Sequence, residues 1–365
     1  MEKELKRLLS LIRPANEAAK KAARDKWNNI AHPLNGLGEL ENIIVDTAGF
    51  LETPEVDFGN LFCDTSKESE LRRVIYILCA DHKVVAQGVS QSPSEVTTNV
   101  ALNLAIKRTC ACKMAEQARC EVVPVDMGIL DFQGFLGVRD LRIGNGTGDI
   151  SIEPAMERAQ AIKAIHAGIS LAFEAKERAM KLIATGEMGI GNTTPSAAII
   201  SCLLGLEPEL TVGKGAGLSN EGLARKTEVV KKALLLHSPD PEDPIDVLTK
   251  VGGFEIAGMC GLFLGGAITK IPVVIDGMIS AAAALCSKKL AKDSVNAMIA
   301  SHVSEEPGAI LALEHLGKKA VIRGGFHLGE GTGALAMLPL LDLAQAVYQR
   351  AYTFDDCGIE AYKPL

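Results

Sequence analysis

The middle of the chain constrains the fold most, because an apolar run, a glycine-rich turn and an apolar helix follow one another directly there. Residues 181–185 have the length and hydrophobicity of a buried strand, residues 186–195 (GEMGIGNTTP) form the turn, and residues 196–204 are typical of a buried helix. Pro195 suits the first helical turn, and the polar residues just before it can cap the helix. Because unpaired N–H groups and the helix dipole point at one spot there, the stretch predicts an anion-binding site.

Glu187 is the unusual member of this turn. A carboxylate beside an anion site repels the ligand unless it has a task of its own, such as receiving a proton or holding a hydroxyl or a developing cation. The alternative is a solvated glutamate in a surface turn, and the local sequence leaves both interpretations open.

Strands followed by helices recur along the chain. Strand candidates at residues 74–80, 121–126 and 271–276 each end in an acid or are followed by one, at the point where open α/β sheets place their ligands. The alternation predicts βαβ units, and therefore an α/β fold with a parallel sheet and helices on both faces. Helices at the two ends of the chain have no strand partners, so we expect them to pack together as a small helical subdomain.

Two helical segments have clear expected boundaries. Residues 92–118 predict one continuous helix, opened by Ser92 with Glu95 three residues later, as in a capping box. Residues 1–27 carry apolar positions at helical spacing among many charged residues, which predicts a single amphipathic helix.

Another glycine-rich turn, residues 212–217 (VGKGAG), precedes a helix that begins near Ser219. Its backbone amides, those of Gly215 included, together with Lys226 in the early turns of the helix, are typical of a phosphate site. A solvated surface lysine is the alternative interpretation of Lys226.

The high glycine content by itself suggests an alternative function, that of a nicotinamide-dependent dehydrogenase. It requires GxGxxG after the first strand, with an acid about 20 residues later. Here the first strand is followed by Asp81-His82-Lys83, and the glycine-rich loop at residues 144–148 is followed too late by its helix. The sequence therefore disfavours dinucleotide binding.

Composition disfavours several other classes of protein. The net charge of −7 comes without a basic cluster, which makes a nucleic-acid partner unlikely on electrostatic grounds. The longest uncharged apolar run, residues 256–269, is shorter than the roughly 20 residues that span a bilayer. Nine cysteines without a CxxC pair predict neither a disulfide framework nor a zinc site. We expect a cytoplasmic protein with no membrane partner and no metal.

Isolated glutamates among glycines occur twice, at Glu187 and Glu330. Phosphate-binding turns beside such carboxylates suggest a phosphorylated small molecule and acid–base or cation-stabilising chemistry. Group transfer at a sugar phosphate fits this combination better than redox chemistry does.

Five blocks of the sequence resemble the nicotinate-nucleotide–dimethylbenzimidazole phosphoribosyltransferase family: residues 186–195, 251–259 (VGGFEIAGM), 275–277 (IDG), 301–304 (SHVS) and 328–333 (LGEGTG). The resemblance implies a Rossmann-like domain over residues 61–334, a small helical domain formed by residues 1–60 and 335–365, and a dimer. It also implies a role in building the lower ligand of cobamides, without a cofactor.

Site residues follow from the same resemblance. Glu330 matches the catalytic base and Glu187 a second active-site acid. The nucleotide site would comprise Gly189, Gly191, Asn192, Thr193, Gly215, Lys226, Asp276, Ser304 and Gly331. The pocket for the incoming base would comprise Asp81, Ser92, Val100 and Met188.

Departures from the family pattern fall in the base-binding half. Lys83 stands where the family has glycine, and Val100 stands where glutamine or methionine is expected and cannot hydrogen-bond a benzimidazole nitrogen. One hypothesis is an active transferase whose acceptor is dimethylbenzimidazole or a phenolic base such as phenol or p-cresol. The other is a weakly active or structural subunit that completes a paralogue's site in a heterodimer rather than a homodimer.

Overall fold

The computed structural model describes residues 1–59 and 71–362. Within them, six strands form one parallel sheet in the order β3-β2-β1-β4-β5-β6. The strands are β1 (Arg73–Ala80), β2 (Glu121–Gly128), β3 (Arg139–Asp140), β4 (Leu182–Met188), β5 (Val273–Ile275) and β6 (Met298–Ala300). The predicted α/β class with a Rossmann-like parallel sheet is confirmed.

Helices cover both faces of this sheet. They are α1 (Glu2–Leu9), α2 (Glu17–Asn29), α3 (Glu39–Leu51), α4 (Glu95–Ala105), α5 (Cys110–Gln117), α6 (Arg158–Glu177), α7 (Thr193–Leu204), α8 (Asn220–His237), α9 (Pro244–Val251), α10 (Phe254–Thr269), α11 (Met278–Leu290), α12 (Pro307–Leu316), α13 (Thr332–Arg350) and α14 (Phe354–Cys357). No helix among the described residues combines the length and the hydrophobicity that crossing a membrane needs.

Strand β1 lies at the centre of the sheet, and this position explains why its sequence is apolar after Arg73. All eight of its residues are buried. Val74, Tyr76 and Leu78 pack into one hydrophobic cluster with α6, α7, α10 and α11, whereas Ile75 and Ile77 pack into a second cluster on the opposite face. Successive side chains of a strand point to opposite faces of the sheet, which explains why these residues alternate between the two clusters. Because both faces of the sheet are covered at β1, the strand needs a continuous apolar run.

Glycines let α6 and α10 approach each other closely. A Cβ atom at Gly168 would lie 1.9 Å from the carbonyl oxygen of Gly258, and one at Gly261 would lie 2.0 Å from that of Ile165. Part of the high glycine content therefore serves helix packing rather than ligand binding.

Helices from the two ends of the chain meet on the second face of the sheet. Trp27 of α2, Ile44 of α3 and Leu338 of α13 belong to the same hydrophobic cluster as Ile75 of β1. The division into a small helical domain (residues 1–60 and 335–365) and a larger one stays a prediction, and its boundary between residues 60 and 61 lies outside the described residues.

The structure corrects the expected helix over residues 92–118, which is broken into α4 and α5. Lys107 adopts a left-handed conformation (φ 59°) just after α4, and the Thr109 hydroxyl caps α5 by accepting the Cys112 N–H. The capping-box expectation is also wrong, since Ser94, not Ser92, is the N-cap of α4 and its side chain makes no capping bond.

Three further expectations were inaccurate. The helix over residues 1–27 is broken into α1 and α2, because Asn16 caps α2 with its side chain. Strand β4 runs on to Met188, so Glu187 lies in a strand and not in the turn after it. Strand β6 was not predicted, and its three residues are too few to give a pattern.

Candidate active site

A cavity of about 320 Å³ opens at the carboxyl ends of β4, β5 and β6. Its walls are the turns that follow these strands, the segment 89–100 after β1, and residues 326–332 before α13. The chain continues on opposite sides of β1, to β2 on one side and to β4 on the other, which makes the β1/β4 junction the switch point where open α/β sheets bind ligands.

Glu187 lies on the cavity wall although it is only 6% exposed. The side-chain amide of Asn192 donates a hydrogen bond to its carboxylate. Burial raises the pKa of Glu187 to about 8, the Asn192 bond opposes the shift, and the negative charges of Asp276, Glu255 and Glu330 add to it. The side chain is therefore mostly protonated at neutral pH and can donate a hydrogen bond there.

Glu330 is held in an unusual backbone conformation. Gly329, Glu330 and Gly331 all have positive φ angles, of 87°, 57° and 75°. A left-handed glutamate costs conformational energy, and such residues cluster at functional sites. Its Oε2 atom is buried without a hydrogen-bond partner among the described residues. Burial raises the pKa of Glu330, while hydrogen bonds from Thr109 and Ala111 oppose the rise.

Asp276 and His302 form a buried pair after β5 and β6. Asp276 accepts the Ala334 N–H at 3.0 Å, in the first turn of α13, and His302 Nδ1 lies 3.0 Å from the Ser301 hydroxyl. Burial raises the pKa of Asp276, although the charge of His302 lowers it, and burial lowers the pKa of His302. A Cβ at Gly333 would lie 1.9 Å from His302 Nδ1, so this site requires glycine.

Lys226 joins the two glycine-rich turns. Its fully buried ammonium donates to the Thr193 hydroxyl at 2.7 Å and to the Gly213 carbonyl at 3.0 Å. Burial lowers the pKa of Lys226 to about 8, and the nearby carboxylate of Glu306 partly opposes this shift. Together with the N-terminus of α7, this arrangement forms a positively polarised site for an anion.

Apolar side chains form the wall that α4 contributes. Val96 and Val100 lie one helical turn apart and both line the cavity, as do Val89, Met188 and Leu328. The Gln91 amide donates to the Gly217 carbonyl and so connects this wall to the second glycine-rich turn. A flat apolar ring fits such a surface better than a charged group does.

Most of the predicted site residues line this one cavity: Glu187, Met188, Gly189, Gly191, Asn192, Thr193, Gly215, Asp276, Ser304, Glu330, Ser92 and Val100. The roles assigned to them stay predictions.

Three predicted residues do not line the cavity. Lys226 lies behind Thr193. Gly331 packs against the sheet, since a Cβ there would lie 2.3 Å from Ile75 Cδ1. Asp81 is 1% exposed and accepts the Leu130 N–H at 2.9 Å. Lys83 is exposed and also lies outside the cavity wall.

Several polar or aromatic residues of the cavity were not predicted as site residues, among them His302, Phe326 and Glu306. His302 lies within a recognised block but received no role, and Phe326 packs against it with ring centroids 5.3 Å apart. Glu306 accepts the Gly215 N–H at 2.7 Å. Its position in the segment SEEP resembles a solvated loop, so only the fold reveals it. Among the described residues no cluster of three or more metal-ligating side chains occurs.

Comparisons with known proteins agree on one family. Residues 12–359 match a family described as phosphoribosyltransferase. The chain is 41% identical over 358 residues to the nicotinate-nucleotide–dimethylbenzimidazole phosphoribosyltransferase of Ruminiclostridium cellulolyticum, covering 98% of both proteins. It is 39% identical over 360 residues to the enzyme so named from Desulforudis audaxviator, covering 98% of this chain and 99% of that one. The solved structure of CobT from Thermus thermophilus superposes with a TM-score of 0.87 at 33% identity, covering 94% of this chain and all of that one.

Proposed function

This chain belongs to the phosphoribosyltransferase family, and from that premise we propose that it transfers the 5-phosphoribosyl group of nicotinate mononucleotide to a lower-ligand base. The products are nicotinate and an α-ribotide for cobamide synthesis. One observation carries the proposal: an anion site, the buried carboxyl group of Glu187 and the partly buried carboxyl group of Glu330, both with raised pKa values, lie in the same cavity.

The phosphate of the nucleotide binds at the two glycine-rich turns. The N-terminus of α7 and the Ser304 hydroxyl offer hydrogen-bond donors in this part of the cavity, and the ammonium of Lys226, which lies behind Thr193, adds positive charge. Helix N-termini and buried cations are the groups that proteins use for phosphate.

Transfer is a displacement at C1′ of the ribose. A nitrogen or oxygen of the acceptor attacks C1′, the bond from C1′ to the pyridinium nitrogen breaks, and nicotinate leaves with the electron pair. Glu330 takes the proton of the acceptor, a task for which a partly buried carboxylate with a raised pKa and a free oxygen is suited.

Glu187 and Asp276 act on the ribosyl group. Protonated Glu187 donates to a ribose oxygen, and the oxygens of the Asp276 carboxyl group stabilise the positive charge that develops at C1′. Both side chains are already fixed by hydrogen bonds, from Asn192 and from the Ala334 N–H, so little reorganisation is needed during the reaction.

The acceptor binds against the apolar wall. Val96, Val100 and Met188 offer no hydrogen bond to a ring nitrogen, so this half of the cavity suits phenol or p-cresol, attached through oxygen, as well as dimethylbenzimidazole. Hydrophobic contact, not polar recognition, selects the ring.

Nicotinate release by the purified chain tests the proposal. Nicotinate mononucleotide is mixed separately with dimethylbenzimidazole, phenol and p-cresol, and each reaction is repeated with Glu330→Gln. We expect release that the substitution lowers by about 10²–10⁴-fold, while Glu314→Gln on the exposed side of α12 leaves it unchanged.

The assembly hypothesis is tested in the same experiment. Release by the chain alone, with a mass in solution of two copies, favours a homodimer. Release only after a related chain is added favours the supporting subunit. A folded chain that consumes no nicotinate mononucleotide in either form contradicts the proposed function.

A further inference from the structure

A buried ion pair joins the segment after β1 to the recognised block at residues 251–259, and the proposed reaction leaves both of its residues without a role. His82 follows β1 and Glu255 lies in the first turn of α10, 173 residues away, yet His82 Nε2 and Glu255 Oε1 are 2.8 Å apart. Their side chains are 1% and 0% exposed, and neither lines the cavity.

Hydrogen-bond partners on two sides fix the imidazole of His82. The other ring nitrogen of His82, Nδ1, lies 3.2 Å from the Thr147 hydroxyl, so both nitrogens have partners. The N-terminus of α10 favours the negative charge of Glu255. Burial lowers the pKa of His82, but the charges of Glu255, Asp81 and Glu187 outweigh burial and the net direction is upward. A buried charge of either sign is costly without its partner.

The imidazole packs directly against the glycine-rich turn of the cavity. A Cβ atom at Gly189 would lie 3.4 Å from His82 Nε2 and 3.4 Å from the Asn192 amide nitrogen, and one at Gly191 would lie 3.8 Å from His82 Cβ. On the other side, a Cβ at Gly253 would lie 2.6 Å from His82 Cε1. Glycines thus enclose the ring from two directions.

The same turn carries the hydrogen bond that reaches the cavity. Asn192 donates to the Glu187 carboxylate, and the Ile190 N–H donates to the Thr97 hydroxyl at 3.1 Å. A shift of the turn would therefore move the Asn192 amide and release Glu187 from its hydrogen bond.

We propose that His82 and Glu255 are positioning residues, which hold residues 189–192 in the form that binds the nucleotide and that orients Glu187. Neither residue touches substrate. The kinetic part of this inference rests on the proposed function.

The pH–rate profile supplies a second readout. The groups that act on Glu187 are the carboxylates of Asp276, Glu255 and Glu330 and the amide of Asn192, and the charge of Glu187 in turn raises the pKa of His82. Glu255→Gln removes one of these carboxylates and also the partner of His82, so the part of the pH–rate profile that Glu187 controls shifts.

Glu255→Gln and His82→Gln test the inference, with Asp342→Asn as the matched control. Asp342 pairs with Arg73, whose side chain is 2% exposed and which lies at the opposite, amino end of β1. For both pair variants we expect the KM for nicotinate mononucleotide to rise about tenfold or more, as small misplacements of binding groups do, while the KM for the acceptor stays within about twofold. The pH–rate profile of Glu255→Gln shifts along the pH axis. The control lowers the melting temperature and leaves KM and the pH profile unchanged.

Amide NMR resonances of Gly189, Gly191 and Asn192 supply a measurement that does not depend on activity. We expect them to shift in both pair variants and not in Asp342→Asn. If the wild-type protein releases no nicotinate, the proposed function fails while these resonances still test the positioning role. Unchanged resonances overturn the inference, as do an unchanged KM and pH profile in folded variants of an active enzyme. Unfolding of both pair variants also overturns it, because a merely structural pair behaves in that way.

Discussion

The two sides of the cavity differ in the chemical groups that form them. The proposed nucleotide side, formed by residues 189–193, residues 213–215 and Lys226, consists of backbone groups and buried polar side chains that bond to one another. The acceptor side, formed by Val96, Val100, Met188 and Leu328, consists of apolar surface without directional bonds. Removing one partner of a buried hydrogen bond lowers the stability of the folded protein by about 1–3 kcal/mol. Replacing one apolar side chain by another of similar volume lowers it less.

This difference determines which part of the enzyme tolerates substitutions. Each polar group on the nucleotide side depends on a partner from another segment, so a substitution there disturbs several contacts. On the acceptor side a new side chain changes only which ring packs well. Acceptor preference can therefore diverge while the nucleotide site stays constant.

Gly189→Ala is expected to have the largest effect, because a Cβ atom there would lie 2.3 Å from the Ala80 carbonyl oxygen. Backbone must move, which we expect to cost about 3 kcal/mol of stability and more than about 100-fold in nicotinate release. Chemical denaturation and steady-state kinetics measure the two effects. Gly49→Ala in α3 is the control, since its new methyl group meets only the flexible Lys20 side chain. Equal behaviour of the two variants would refute a rigid nucleotide side.

Lys226→Met removes the buried cation while keeping a similar volume. The KM for nicotinate mononucleotide should rise about 100-fold, equivalent to about 3 kcal/mol, with little change in the KM for the acceptor. Because burial lowers the pKa of Lys226 to about 8, the wild-type ammonium is charged below that pH, and nucleotide binding should weaken as the pH rises through it. Lys232→Met, an exposed position on the same helix, is the control. Parallel rises in both KM values would argue against a phosphate role.

Glu187→Gln should stabilise the protein in a pH-dependent way. The pKa of Glu187 is about 8 in the folded protein and 4.5 ordinarily, so the stability that its protonated form contributes is complete below about pH 4.5 and is lost as the pH rises to 8. The advantage of glutamine should therefore grow by up to about 1.4 kcal/mol per pH unit over that range, and level off above it. Denaturation at pH 5, 7 and 9 measures the trend. A pH-independent difference would show that Glu187 is ionised throughout.

Val100→Gln should have the smallest effect, confined to acceptor choice. The new amide can hydrogen-bond a benzimidazole nitrogen, so the ratio of kcat/KM for dimethylbenzimidazole to that for phenol should rise by about tenfold. Competition between the two acceptors, with product identification, measures the ratio. Asn99→Gln on the exposed side of α4 should leave it unchanged. A large rise in the KM for nicotinate mononucleotide would mean that the two sides are not independent.

Local sequence patterns predicted the parts of the fold that depend on neighbouring residues. The continuous apolar run of β1 and the glycine-rich turn between β4 and α7 follow from strand burial and glycine chemistry. The break between α4 and α5 was missed, because a left-handed Lys107 is a weaker signal than a glycine. The three residues of β6 were missed because so short a strand has no periodicity.

The residues of the candidate site also fall into those that a local motif identifies and those that only distant contacts identify. The glycine-rich turns and the two glutamates could be identified because each is a short local motif. Glu306 and His302 could not be assigned a role, since their importance lies in contacts with Gly215 and Asp276, which are distant in the chain.

By itself, the sequence determined the α/β class, the family and twelve of the residues that line the cavity, since these depend on local propensity, burial pattern and short motifs. Only the tertiary structure decided the strand order, the pairing of His82 with Glu255 and the protonation of Glu187. The physical reason is that desolvation and Coulomb interactions depend on which distant groups share a low-dielectric space. That arrangement exists only after the strand ends have been brought together.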